Sequence, residues 1–85
     1  MARYKVVIKK SALRELKALP KKDLRRLVSA IEGLASDPRP PGSRKLSASE
    51  RYRLRQGVYR VLYSIEDDKL IVHVVKVAHR REVYR

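Results

Sequence analysis

The chain has 85 residues, a length that sets a single domain, 1–85, as the expectation. It has no cysteine, which excludes a disulfide framework and any thiolate metal site and fits a reducing, cytoplasmic setting. Lys and Arg number 22 against 9 Asp and Glu, a formal net charge of +13 that draws the chain to polyanions such as RNA, DNA or an acidic protein.

The hydrophobic fraction of 44% is that of a folded domain and not of a basic tail. No membrane partner is expected. The opening "MARYKVVIKK" is not a signal peptide, nothing after it is long enough to span a bilayer, and no helix carries a bulky aromatic face.

In chain order, residues 3–9 alternate as a strand, with Tyr4, Val6 and Ile8 on one face and Lys5, Val7 and Lys9 on the other. Ser11 fits the N-cap of a short helix whose stripe is Leu13, Leu16 and Leu19. Pro20 fits the first turn of a second helix, in which Leu24, Leu27, Val28, Ile31 and Leu34 follow a helical period. Residues 36–45, "SDPRPPGSRK", read as a loop.

The period then changes to two. Residues 51–56, 58–66 and 69–78 read as three strands, with Gly57 at the first bend and "EDDK" as the second turn. The expected fold is α+β: strand, helix, helix, three strands, with two helices packed on one face of a mainly antiparallel four-stranded sheet.

One sheet face must lie on the helices. Tyr59, Val61, Tyr63 and Ile65 form the apolar set of their strand, so Arg60, Leu62 and Ser64 face away. Tyr52 and Leu54 oppose Arg53 and Arg55 in the same manner. Alternation therefore collects Lys5, Lys9, Arg53, Arg55 and Arg60 on the face without helices. Guanidinium is planar, permanently charged and able to grip phosphate with two bonds, so this is a candidate phosphate site. Cations on a solvated sheet face are also ordinary, and composition alone leaves both readings open. Arg44, Lys45 and Arg51 are further candidate RNA contacts. His73, mid-strand, reads as a packed or hydrogen-bonded sheet residue, and with His79 it lacks a third ligand at any usual metal spacing.

The stretches "KLSASERYRLRQGVYRVLY" and "VVKVAHRREVYR" resemble the RelE-type toxins of prokaryotic toxin–antitoxin systems, within the RelE/ParE superfamily. The resemblance spans essentially the whole chain. It lies in the element order, the "KL" before a short loop, the "RYRLR" strand, "YRVLY" and the closing "HRREVY". It implies an endoribonuclease, an mRNA interferase that cuts A-site mRNA on the ribosome without metal or cofactor. In that chemistry the 2′-hydroxyl attacks the adjacent phosphate and the 5′-oxygen leaves.

Carried over by matching position, Arg53 and Arg55 handle the nucleophile and the phosphate, and Arg60 clamps the phosphate. Arg80 serves the leaving group, and Tyr84 stacks on or orients the substrate. The best-known members have lysines where this chain has Arg53 and Arg55. An arginine does not become a neutral base, so these two are electrostatic stabilisers here. His79 is then the candidate base or acid, since an imidazole can serve as either near neutral pH, and Glu50 is a second candidate.

The partners implied are mRNA, the ribosome and a cognate acidic, RelB-like antitoxin that folds on the basic domain. Two other functions fit the sequence. One is a ParE-type toxin that poisons gyrase and cleaves no RNA; the other is a non-catalytic basic module that binds structured RNA.

Overall fold

The apolar alternation at the start of the chain forms β1 (Lys5–Ile8), which turns directly into α1 (Lys10–Lys17) in the computed structural model. The structure describes residues 3–46 and 50–79, so Arg80 and Tyr84 lie outside the described residues. Lys9 holds the N-cap of α1 with extended backbone and no side-chain cap, and Ser11 is already inside the helix. The buried stripe is Ala12 and Leu16 with Leu19 half-buried; Leu13 is 39% exposed, because a period of 3.6 carries it off the stripe.

Pro20 is the N-cap residue of α2 (Lys21–Gly33), placed where its missing N–H costs nothing. Leu27, Ile31 and Leu34 are buried and close the helical layer over the sheet.

The sheet has five strands where four are expected from the sequence. The added strand is β2 (Ser43–Lys45), inside the segment read as a loop. Three residues after a proline-rich run carry no alternation of their own, and β2 is defined only by its pairing with β3 (Arg51–Gln56). β4 (Tyr59–Glu66) and β5 (Ile71–His79) complete the order β1-β5-β4-β3-β2. β1 runs parallel to β5 and every other pair is antiparallel, so the sheet is mainly antiparallel. Both helices cover one face, where Ala12, Leu16, Leu27, Ile31 and Leu34 meet Leu54, Val61, Tyr63, Val72, Val74 and Val77.

β5 does not alternate uniformly. Leu62 pairs with Lys76 and Tyr63 with Val74, so Val75 is an extra residue, a bulge. The bulge resets parity, which is why Val72, Val74 and Val77 are all buried. β1 pairs with β5 only as far as Val74, and α1 then takes over the edge. The Val77 backbone N–H donates to Glu15 Oε1 at 3.0 Å, and Lys76 Nζ donates to Glu15 Oε2 at 3.0 Å.

The acidic turn after β4 is more than a connection. Asp67 accepts from Tyr4 Oη at 2.6 Å and from Arg39 Nη2 at 2.8 Å and Nη1 at 3.2 Å. Arg39 Nε donates to the Tyr52 hydroxyl at 3.1 Å, with the guanidinium 5.3 Å from the centre of the Tyr52 ring. Tyr52 stacks on buried Tyr63 at 5.8 Å, and the Tyr63 hydroxyl donates to the Pro38 carbonyl at 2.7 Å. This chain of contacts holds the proline-rich loop against the sheet and leads it into β2.

Bonds from Arg39, then Tyr4, hold the Asp67 carboxyl at about 2. A folded-state value below the ordinary ~3.9 means a stabilisation present in full above about pH 5 and lost as pH falls through 2. Asp67→Asn should therefore lower the melting temperature at pH 6, and its melting temperature should fall less between pH 5 and pH 2 than that of the unaltered protein. Leu27→Ala, at a fully buried position, should cost about 2–5 kcal/mol in denaturant titration at any pH.

Candidate nucleic-acid interface

A two-residue turn, Gly57 and Val58, joins β3 to β4, and Gly57 has φ +61°, a region open to glycine at no steric cost. That turn fixes the register. Leu54 pairs with Val61 on the helix side, which places Arg55 opposite Arg60, Arg53 opposite Leu62 and Arg51 opposite Ser64 on the other face. Gly42, with φ +92°, turns the chain into β2 and sets Arg44 opposite Arg53.

Two pairs of like charges, Arg44/Arg53 and Arg55/Arg60, thus sit side by side. Along β3 the arginines repeat every second residue, about 6.8 Å apart. Gly42, Ser43, Arg44, Arg53 and Arg55 line an open cleft of about 420 Å³, within the range of small-ligand clefts.

Arg60 has the face that alternation assigned and a depth that alternation does not reveal. It is 4% exposed, and its Nη1 donates to the Tyr59 carbonyl at 3.3 Å. Its cross-strand neighbours are Arg55 on β3 and the small Ala78 on β5. A guanidinium does not shed its proton to escape burial, and like charges directly opposite are unfavourable. The geometry is suited to receiving an anion, whose oxygens reach inward to Arg60 while Arg55 and Arg53 close on its outer side. Such an arrangement can offset negative charge on the oxygens of a phosphate, but its arginines supply no base.

The structure does not bring all the sequence candidates together. Lys5 pairs with Ile71, which pairs with Glu66, so it lies on the far edge of the sheet and six residues along β4 from Arg60, about 20 Å away. Lys9 caps α1, its N–H bonded to the Val74 carbonyl at 2.9 Å. Lys45 alternates with Arg44 to the opposite face, opposite Tyr52, with its ammonium 3.8 Å from Glu50.

His79 pairs with Tyr59, and the rings meet edge-on at 5.9 Å. Tyr59 donates to Asp23 of α2 at 2.9 Å, a bond that raises the tyrosine's pKa. His79 therefore faces the helix layer, in a cleft with Glu15, Ala18 and Leu19, and not the arginines. His73, opposite Ser64, shares the arginine face and is hydrogen-bonded to Glu66. Arg39, another cation of the proline-rich loop, is committed to Asp67. Among the described residues no group of three or more His, Asp and Glu side chains is placed to hold a metal ion.

Relief of the Arg55/Arg60 repulsion gives a measurable signature. Arg55→Gln should leave the free protein as stable or more stable by roughly 0.2–1 kcal/mol, while weakening single-stranded RNA binding and lowering the salt slope by about 1. Melting curves and salt-dependent binding isotherms on the same preparation read both effects.

Comparison with known proteins points to one family. The model of the family described as the ParE toxin of the type II toxin–antitoxin system parDE matches residues 6–84. Toxin RelG of Mycobacterium tuberculosis is 34% identical over 86 residues, which cover 96% of this chain and 97% of RelG. A chain of the archaeal RelE–RelB complex from Pyrococcus horikoshii superposes with a TM-score of 0.83 at 31% identity, over 94% of this chain and 97% of that one. A chain of the toxin–antitoxin complex RelBE2 from Mycobacterium tuberculosis gives 0.80 at 31% identity, over 92% and 99%. With this geometry, this fold and these matches over nearly its whole length, the chain belongs to the RelE/ParE family of toxins of type II toxin–antitoxin systems.

Proposed function

We propose that this toxin is a cytoplasmic, ribosome-dependent mRNA endoribonuclease. The observation that carries the reading is the pair of facing arginine pairs, Arg44/Arg53 and Arg55/Arg60, one member of which is buried. A binding face for general electrostatic attraction needs no buried guanidinium, whereas a guanidinium set in a water-excluded site acts more strongly on a phosphate that gains charge in its transition state.

The mRNA 2′-hydroxyl attacks the adjacent phosphorus, the 5′-oxygen departs, and a 2′,3′-cyclic phosphate remains. Arg60 holds the non-bridging oxygens from below, and Arg53 and Arg55 from the flank. Arg80 and Tyr84 act on the leaving group and the base stack. The displacement calls for no metal, because guanidinium groups supply the countercharge. The ribosome's part is to present one mRNA phosphate in a fixed conformation, which a small open cleft does not achieve alone. The partner that silences the toxin is a cognate acidic, RelB-like antitoxin; the solved relatives include a RelE–RelB complex and a RelBE2 complex.

The family description as a ParE toxin favours a second reading, a gyrase poison that uses the basic face only for binding. Primer extension on a translating mRNA in a purified translation system separates the two. Cuts in the A-site codon that require ribosomes and disappear with Arg60→Ala are expected. Intact mRNA with undisturbed translation, together with loss of supercoiling by gyrase, would establish the second reading.

A further inference from the structure

Four arginines of the basic face form two rows. Arg55 of β3 faces Arg60 of β4 in one row, and Arg53 of β3 faces Arg44 of β2 in the next. Directly paired residues share a face, so all four lie on the side away from the helices. The rows are about 6.8 Å apart along the strands, and the pairs are offset by one strand, about 4.8 Å. Their centres therefore lie about 8 Å apart on a diagonal across the sheet.

Each row sets two permanent positive charges side by side, an arrangement that an anion between them relieves. A phosphate at Arg55 and Arg60 relieves the first row and leaves the second as it was. The cleft opens on that second side. Gly42, Ser43, Arg44, Arg53 and Arg55 line it, and none of them is acidic. Arg60 adjoins it only through its pairing with Arg55. At about 420 Å³ the cleft is many times the ~30 Å³ share of a water molecule, more room than one phosphate fills.

Arg44 is exposed, yet it rides on anchored backbone. The Ser43 N–H donates to the Pro40 carbonyl at 3.0 Å, and the Leu46 N–H donates to the Arg51 carbonyl at 2.9 Å. Between these bonds, β2 is paired residue by residue with β3. The second row is thus as fixed in register as the first. Successive phosphates of a single RNA strand are joined through one ribose, and the reach of arginine side chains brings such a pair onto the two rows. The first row favours phosphate through the depth of Arg60, and the second row is continuous with it, so the next charge of the same strand is its natural ligand.

On the endoribonuclease reading, we propose that Arg44 and Arg53 form a second phosphate subsite, which takes the phosphate adjoining the one at Arg55 and Arg60. A strand held at one phosphate can pivot about it, whereas two contacts fix its direction across the sheet. Arg44 is then a positioning residue for the reaction, and Arg53 is shared between the two phosphates.

Binding of 2′-O-methyl trinucleotides, which carry two internucleotide phosphates and cannot be cut, tests this at low salt. The probes are the trinucleotide itself and the same molecule with either phosphate replaced by an uncharged methylphosphonate. With the unaltered toxin, loss of either charge should weaken binding by roughly 3–10-fold. With Arg44→Gln the second charge should add less than about twofold. Arg44→Lys, which keeps the charge and loses the planar fork, should fall between them, and it decides the matter if Arg44→Gln does not fold. In single-turnover cleavage of ribosome-bound mRNA, Arg44→Gln should raise the half-saturating toxin concentration more than it lowers the rate at saturation, and Arg60→Ala should do the reverse. No gain from the second phosphate in the unaltered toxin, or an undiminished gain in Arg44→Gln, overturns this inference and leaves the endoribonuclease standing where mRNA is still cut. An Arg44→Gln toxin that loses affinity only for an oligoglutamate probe assigns the pair to an acidic protein and also overturns it. The expected gain without any cleavage of mRNA overturns the endoribonuclease, and with it the positioning role of Arg44.

Discussion

The register between β3 and β4 is the constraint on which the rest of this molecule depends. One alternation does two jobs. It turns Leu54, Val61 and Tyr63 into the helices, and by the same step it turns Arg53, Arg55 and Arg60 onto the opposite face. A slip of one residue would drive guanidinium groups into the apolar layer and expose the core, so the strong preference for burying that core also fixes the arginines. The two-residue turn at Gly57 admits no slack, and the like-charge opposition of Arg55 and Arg60 is maintained by packing elsewhere. The placement of the cationic site is thus held by hydrophobic contact.

The few acids explain how so basic a chain stays together. Asp23 accepts from Tyr59 and ties α2 to β4. Glu15 ties α1 to the free edge of β5. Asp67 gathers β1, the proline-rich loop and the turn after β4, and Glu66 holds His73. Each joins groups from different parts of the chain, so that 9 acids serve a chain with 22 Lys and Arg. The chain keeps a net charge of +13, which steers polyanions to it.

Much of this was legible in the sequence, and the reason is local. The helices, the three long strands and the faces of Arg53, Arg55 and Arg60 follow from period and turn residues within a few positions. β2 was not legible, because a three-residue edge strand exists only through its partner. The role of Asp67 was hidden for the same reason, since its partners Arg39 and Tyr4 lie 28 and 63 residues away. Lys5 shares the arginine face by alternation, yet the strand order sends β1 to the far edge, and strand order is not written in period. His79 adjoins Arg80 in sequence, and the bulge at Val75 decides which way it points.

Depth is the other quantity that period leaves out, and it bears on how an acidic partner would act here. Arg44 and Arg55 are exposed and Arg53 is half-exposed, so a carboxylate-bearing segment laid across the sheet can meet all three. Arg60, at 4% exposure, lies below them. A small group with several oxygens on one centre, such as a phosphate, reaches down to it more readily than a carboxylate held on a folded backbone. On the proposed reading, an antitoxin would then silence the site by covering the upper arginines and excluding RNA, without mimicking the substrate at Arg60. On that reading the same difference in depth separates binding from catalysis within the site: the upper arginines would give affinity to any polyanion, and the buried one would favour a phosphate.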